Sequence, residues 1–213
     1  LQAQRDVLPE DLPWEWRDAA LAAAAETSLN EEDKEGANRF LRLLESRPIS
    51  ASVATIRGRV ALANFSFQTA FHAFGAALAI DPSSIQAAWG LAETDRRFGN
   101  NEKARQAFAR ILERDPANLR VLTSLKQLAT DFSRWPEAER LQRQLIAADP
   151  NAGADAYAQL ADILLRAGNI EQASIALHDS LSRDPYNFQA RVNLGQLLFR
   201  QEKWPEAREN LEF

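Results

Sequence analysis

The sequence predicts an all-α protein built from repeated antiparallel helix pairs, and three observations carry that reading. Asp81-Pro82, Asp115-Pro116 and Asp149-Pro150 recur at intervals of 34 residues, Asp184-Pro185 follows after 35, and Pro48 lies 34 before Pro82. A constant period of this size marks stacked helix pairs, each unable to bury its apolar face alone. When each phased proline is set at position 32 of a unit, position 8 is small in five of six units (Ala24, Gly58, Ala92, Ala161, Gly195). Position 20 is small throughout, from Gly36 and Ala70 to Ala173 and Ala207.

Taken in order, residues 1–16 form a lead-in with prolines at 9 and 13, whose Trp14 and Trp16 are expected to cap the apolar end of the first unit. The repeat array is expected over 17–213, in units 17–50, 51–84, 85–118, 119–153, 154–187 and a partial 188–213. That is about five full helix pairs and a truncated sixth. The additional residue of the fourth unit is absorbed at Ala152-Gly153. First helices carry a packing face at positions 4, 7, 8 and 11, as in Tyr157, Leu160, Ala161 and Leu164. Small residues at 8 and 20 let paired backbones approach, where a large side chain would cost about 1–3 kcal/mol in overpacking. Position 24 fills the space between units with Phe40, Phe74, Phe108, Leu177 and Leu211. Gly99-Asn100 and Gly168-Asn169 are helix-stop chemistry. Asp-Pro ends each second helix, since proline drives the residue before it out of the α region.

These positions resemble the tetratricopeptide repeat (TPR) family over about residues 17–213, most closely at Arg191–Phe199 and Trp204-Pro-Glu-Ala207. The resemblance implies a right-handed superhelix, an α–α solenoid whose first helices line a concave groove. It also implies that Trp135 and Trp204, at position 17, pack against neighbouring repeats. Three residues depart from the family pattern: Arg57 and Lys126 at the usually apolar or small positions 7 and 8, and Gln142 where position 24 is usually aromatic.

Composition narrows function. The net charge of −5 opposes nucleic-acid binding, which needs a concentrated basic surface. No apolar run approaches the length of a membrane span. With no cysteine there is neither disulfide nor thiolate chemistry. His72 and His178 stand on second helices in no metal-ligand spacing, and no glycine-rich phosphate loop is present. No catalytic constellation, cofactor site or metal site is expected, and the chain reads as a non-enzyme.

Positions 2, 5, 9 and 12 share a second face of the first helix. With neighbouring positions 6 and 13, this face supplies the expected partner-binding wall: Arg59, Trp89, Glu93, Arg96, Arg97, Thr123, Gln127, Asp162, Asn193 and Gln196. Its balance of acid and base suits a protein or extended peptide, and a tryptophan flanked by arginines is hot-spot composition. In the first unit the same face is apolar (Leu21, Ala25, Leu29) and is expected to pack on the lead-in. Two family subclasses fit poorly: position 5 is never lysine and position 9 never asparagine, as carboxylate-gripping members require, and only Asn193 matches the asparagine ladder of sugar-transferring members.

The expected function is a non-catalytic scaffold that binds a peptide or partner protein in the groove. The alternative is the TPR portion of a larger enzyme or of a secretion or polysaccharide-export protein. The chain contains no methionine and stops inside a second helix, so it reads as part of something longer, with self-association through terminal repeats as a further expectation. Its alanine-, arginine- and Asp-Pro-rich style is similar to that of bacterial TPR proteins, which points to the bacterial periplasm or envelope, and otherwise to the cytoplasm.

Overall fold

The computed structural model describes residues 20–21, 23–25, 27–29, 31, 33–44 and 50–212. Among them every regular element is an α-helix. The lead-in with Trp14 and Trp16, Pro48 and Phe213 lie outside the described residues. After a helical stretch within 20–29 come α1 (Lys34–Leu44), α2 (Ala51–Ala63), α3 (Phe67–Ile80), α4 (Ile85–Arg97), α5 (Asn101–Arg114) and α6 (Leu119–Asp131). They are followed by α7 (Trp135–Ala148), α8 (Ala154–Arg166), α9 (Ile170–Arg183), α10 (Phe188–Arg200) and α11 (Trp204–Leu211).

The helix ends have readable causes. At Asp81, Asp149 and Asp184 the backbone is extended, with φ of −130°, −106° and −140°, so the helix stops before proline as expected. The aspartate adds a second function: its Oδ1 accepts the N–H two residues on, at 2.9 Å in Ser83, Asn151 and Tyr186. The next first helix is then capped by a side chain at Ser84, Asn118 and Asn187, as at Ser50, each accepting from the N–H three residues later. Within pairs, the turn residue is left-handed at Gly99 and Gly168, and also at Phe65, Ser133 and Glu202. The following N–H bonds back to a carbonyl five residues earlier, as in Ser66 to Ala61 at 2.8 Å.

The helices form two compact units, Leu1–Ile111 and Leu112–Phe213. In the first, α2 packs on α3, α3 on α4, and the two first helices α2 and α4 touch. Phe74 is fully buried at its centre. Its ring leaves no room at two glycines: a Cβ at Gly58 would lie 2.6 Å, and one at Gly90 2.2 Å, from ring carbons. In the second, α6–α7, α8–α9 and α10–α11 pack as pairs, with α8 also against α10. Leu164, Leu177, Ala161, Ala173 and Leu194 form its core. Leu211 repeats the phenylalanine arrangement there, 2.6 Å from where a Gly195 Cβ would stand.

Candidate protein-binding face

In the first unit, Arg59 lies on α2 and Trp89, Glu93, Arg96 and Arg97 lie on α4, on helices that touch. The 4-residue step from Trp89 to Glu93 and the 3- and 4-residue steps to the arginines put them on neighbouring faces of one helix. Glu93 is only 5 % exposed. Its Oε1 accepts from Arg96 Nη2 at 2.6 Å and from Arg97 Nε at 2.9 Å, while Oε2 accepts from Arg96 Nε at 2.8 Å. Burial alone would push this carboxyl up, but the hydrogen bonds and charges of Arg96 and Arg97 outweigh it and hold it below the usual carboxylate range. Glu93 therefore stays ionised and fixes two guanidinium groups, of which Arg97 is the more exposed.

Two residues on from Glu93, Asp95 occupies a packing position yet is a buried acid. Its Oδ1 accepts from Asn100 Nδ2 at 3.1 Å and from Lys103 Nζ at 3.3 Å, and Lys103 in turn lies 5.5 Å from the Phe71 ring centre. Periodicity could not reveal this site, because its partner is eight residues away on the next helix. His72 and His178 are both exposed. His72 lines a groove of about 900 Å³ among α1, α2 and α3, together with Arg42, Arg57 and Asn64.

The second unit holds Thr123, Gln127, Asp162, Asn193 and Gln196 on α6, α8 and α10. Thr123 Oγ1 is turned back to its own helix at Leu119 O, 2.7 Å, and Gln127 donates to Asp131 at 2.7 Å. Asp162 pairs with Arg166 at 2.9 Å, whose guanidinium lies 5.8 Å from the Trp135 ring. Asn193 is buried and accepts from Gln189 Nε2 at 2.9 Å, leaving its own Nδ2 without a partner. Gln196 is exposed. Trp204 remains half exposed, edge-on to Phe199 at 4.7 Å.

Lys126 and Gln142, both departures from the repeat pattern, line one cleft in this unit. Lys126 Nζ donates to Gln159 Oε1 at 2.8 Å across α6 and α8. Burial pushes its ammonium below the usual lysine range. Gln142 is 2 % exposed and donates through Nε2 to Ala156 O at 2.7 Å.

Two family profiles, each described as tetratricopeptide repeat, match residues 61–128 and 158–212. The chain is a tetratricopeptide-repeat protein. No curated protein matches it by sequence. Among solved structures, PilF of Pseudomonas aeruginosa superposes with a TM-score of 0.74 at 17% identity, over 92% of this chain and 89% of its own. PilW, described as a widely conserved type IV pilus biogenesis factor, gives 0.72 at 18% identity over 83% and 82%. MamA of Desulfovibrio magneticus RS-1 gives 0.65 at 16% identity over 76% and 91%. At these identities the likeness is one of fold. Tetratricopeptide-repeat folds are protein-interaction scaffolds that generally bind proteins or peptides, and among the described residues no helix is long and apolar enough to cross a membrane.

Proposed function

We propose that this tetratricopeptide-repeat protein is a non-catalytic scaffold that holds a partner protein or extended peptide against the face of its first helices. The observation that carries the reading is the Trp89–Glu93–Arg96–Arg97 cluster. A buried carboxylate clamps two arginines beside a half-buried tryptophan, so the groups that most often anchor interfaces are ordered before any partner arrives. On the first helices of its own unit the face also carries Arg59, and the first helices of the second unit carry Thr123, Gln127, Asp162, Asn193 and Gln196. The role of PilW in type IV pilus biogenesis supports placing this chain in a bacterial envelope assembly.

The test is an affinity capture from a bacterial lysate with residues 1–213 as bait beside a Trp89→Ala/Arg97→Ala bait, circular dichroism having shown equal helicity. Truncating a hot-spot residue costs about 2 kcal/mol or more, roughly thirtyfold in affinity. The partner retained by the first bait should therefore be lost from the second. A partner held equally by both would remove the first-helix face from the account.

A further inference from the structure

We propose that the second unit contains a separate recognition cleft for a guanidinium or primary ammonium group. Three departures from the repeat pattern converge on it: Lys126 at position 8, Gln142 at position 24, and the additional residue at Ala152-Gly153 all line one cleft of about 590 Å³. In the first unit the equivalent places hold Gly58 at position 8, Phe74 at position 24 and Gly90 at position 6 of the following repeat, where the ring fills the space completely. In the second unit those three places are Lys126, Gln142 and Gln159. Polar side chains thus stand where the first unit has an apolar ring against two glycines, and a cleft lies beside them.

The chemistry of the lining selects the ligand. Gln142 spends Nε2 on Ala156 O, and its buried Oε1 has no hydrogen-bond partner. An orphaned buried acceptor is unfavourable unless something donates to it. Asp149, Asp155 and Asp184 line the same cleft against the single ammonium of Lys126, so three carboxylates face one cation. Each also accepts one protein hydrogen bond through Oδ1, including Asn187 Nδ2 to Asp155 at 2.6 Å. A carboxylate has room for more than one donor. An unpartnered acceptor and a surplus of carboxylates favour a cation carrying several N–H groups. The ammonium of Lys126, tethered to Gln159, would repel a cation, but the three carboxylates outnumber it. This deepens the scaffold reading and rests on it for its biological source, an arginine or lysine side chain of the partner, since Thr123 belongs to both wall and cleft.

The test is an NMR titration of residues 1–213 that follows the Gln142 side-chain amide and the Gly153 backbone amide. The probes are agmatine, a blocked Gly-Ser-Arg-Ser-Gly peptide, its citrulline counterpart and methyl phosphate. Saturable shifts with the two guanidinium probes, absent with citrulline and methyl phosphate, are expected. Asp155→Asn should weaken them about tenfold. Gln142→Leu, the side-chain type that Leu177 and Leu211 supply at this position, should abolish them without lowering the melting temperature. Tighter binding of the peptide than of agmatine assigns the cation to a partner chain, and equal binding to a free small cation. No saturable shift, an equal response to citrulline or methyl phosphate, or full binding by both variants overturns the proposal. None of these readouts involves Trp89 or Arg97, so the cleft and the wall fail separately.

Discussion

Phe65 occupies a backbone conformation that few residues tolerate. With φ of 58° it stands in the left-handed region, and its ring is 66 % exposed with an edge contact to Phe67 at 6.3 Å. A bulky side chain there costs about 1–2 kcal/mol in backbone strain. Gly99 and Gly168 fill the corresponding place in other pairs without that strain. Phe65→Gly should thus raise the unfolding free energy by about 1 kcal/mol, read from urea denaturation at constant m value. Glu93 gives a prediction in the opposite direction. Its folded pKa lies below its unfolded one, so its stabilisation is complete above the ordinary carboxylate range and is lost as pH falls through the folded value. Glu93→Gln should cost about 1–3 kcal/mol near neutral pH. The gap from the parent should narrow on acidification, and a pH-independent gap would show that the arginine contacts carry no ionic share.

At the scale of elements, the junction of α2, α3 and α4 turns on one ring. Phe74→Ala leaves a cavity between two glycine-bearing helices and should cost about 3–5 kcal/mol. Gly90→Leu attacks the same junction from the other side and should cost about 1–3 kcal/mol by overpacking. Thermal or urea unfolding of each variant checks both. This junction was legible in the sequence, because the 34-residue phase aligns small positions 8 and 20 with a large position 24. The helix stops were legible through proline, but not the aspartate hydrogen bond that closes each turn, since that needs the turn geometry itself. The left-handed residue was legible only where it is glycine. Lys126 and Gln142 were visible as exceptions, yet the cleft they both line was not. They lie 16 residues apart, and their third member, Gln159, belongs to the next repeat. On the wall, the spacing put Glu93 and Asn193 on the expected face but could not tell that both side chains are buried, because that depends on Arg96, Arg97 and Gln189 folding over or beside them.

At the scale of the whole chain, repeats interact mainly with their nearest neighbours, so stability is close to a sum over junctions rather than one indivisible quantity. The two compact units should then respond unequally to a local lesion. In Phe74→Ala, hydrogen exchange should quicken across α2–α4 while α8–α11 keep their protection; uniform loss of protection would show a single cooperative block. On the proposed reading, packing between repeats leaves enough of the first-helix face uncovered for recognition. The most direct measurement of that claim is hydrogen exchange of residues 1–213 with and without the captured partner. The account predicts added protection concentrated on α2, α4, α6, α8 and α10, strongest around Trp89 and Arg97. Protection confined to α3, α7, α9 and α11, with α4 unchanged, would contradict it.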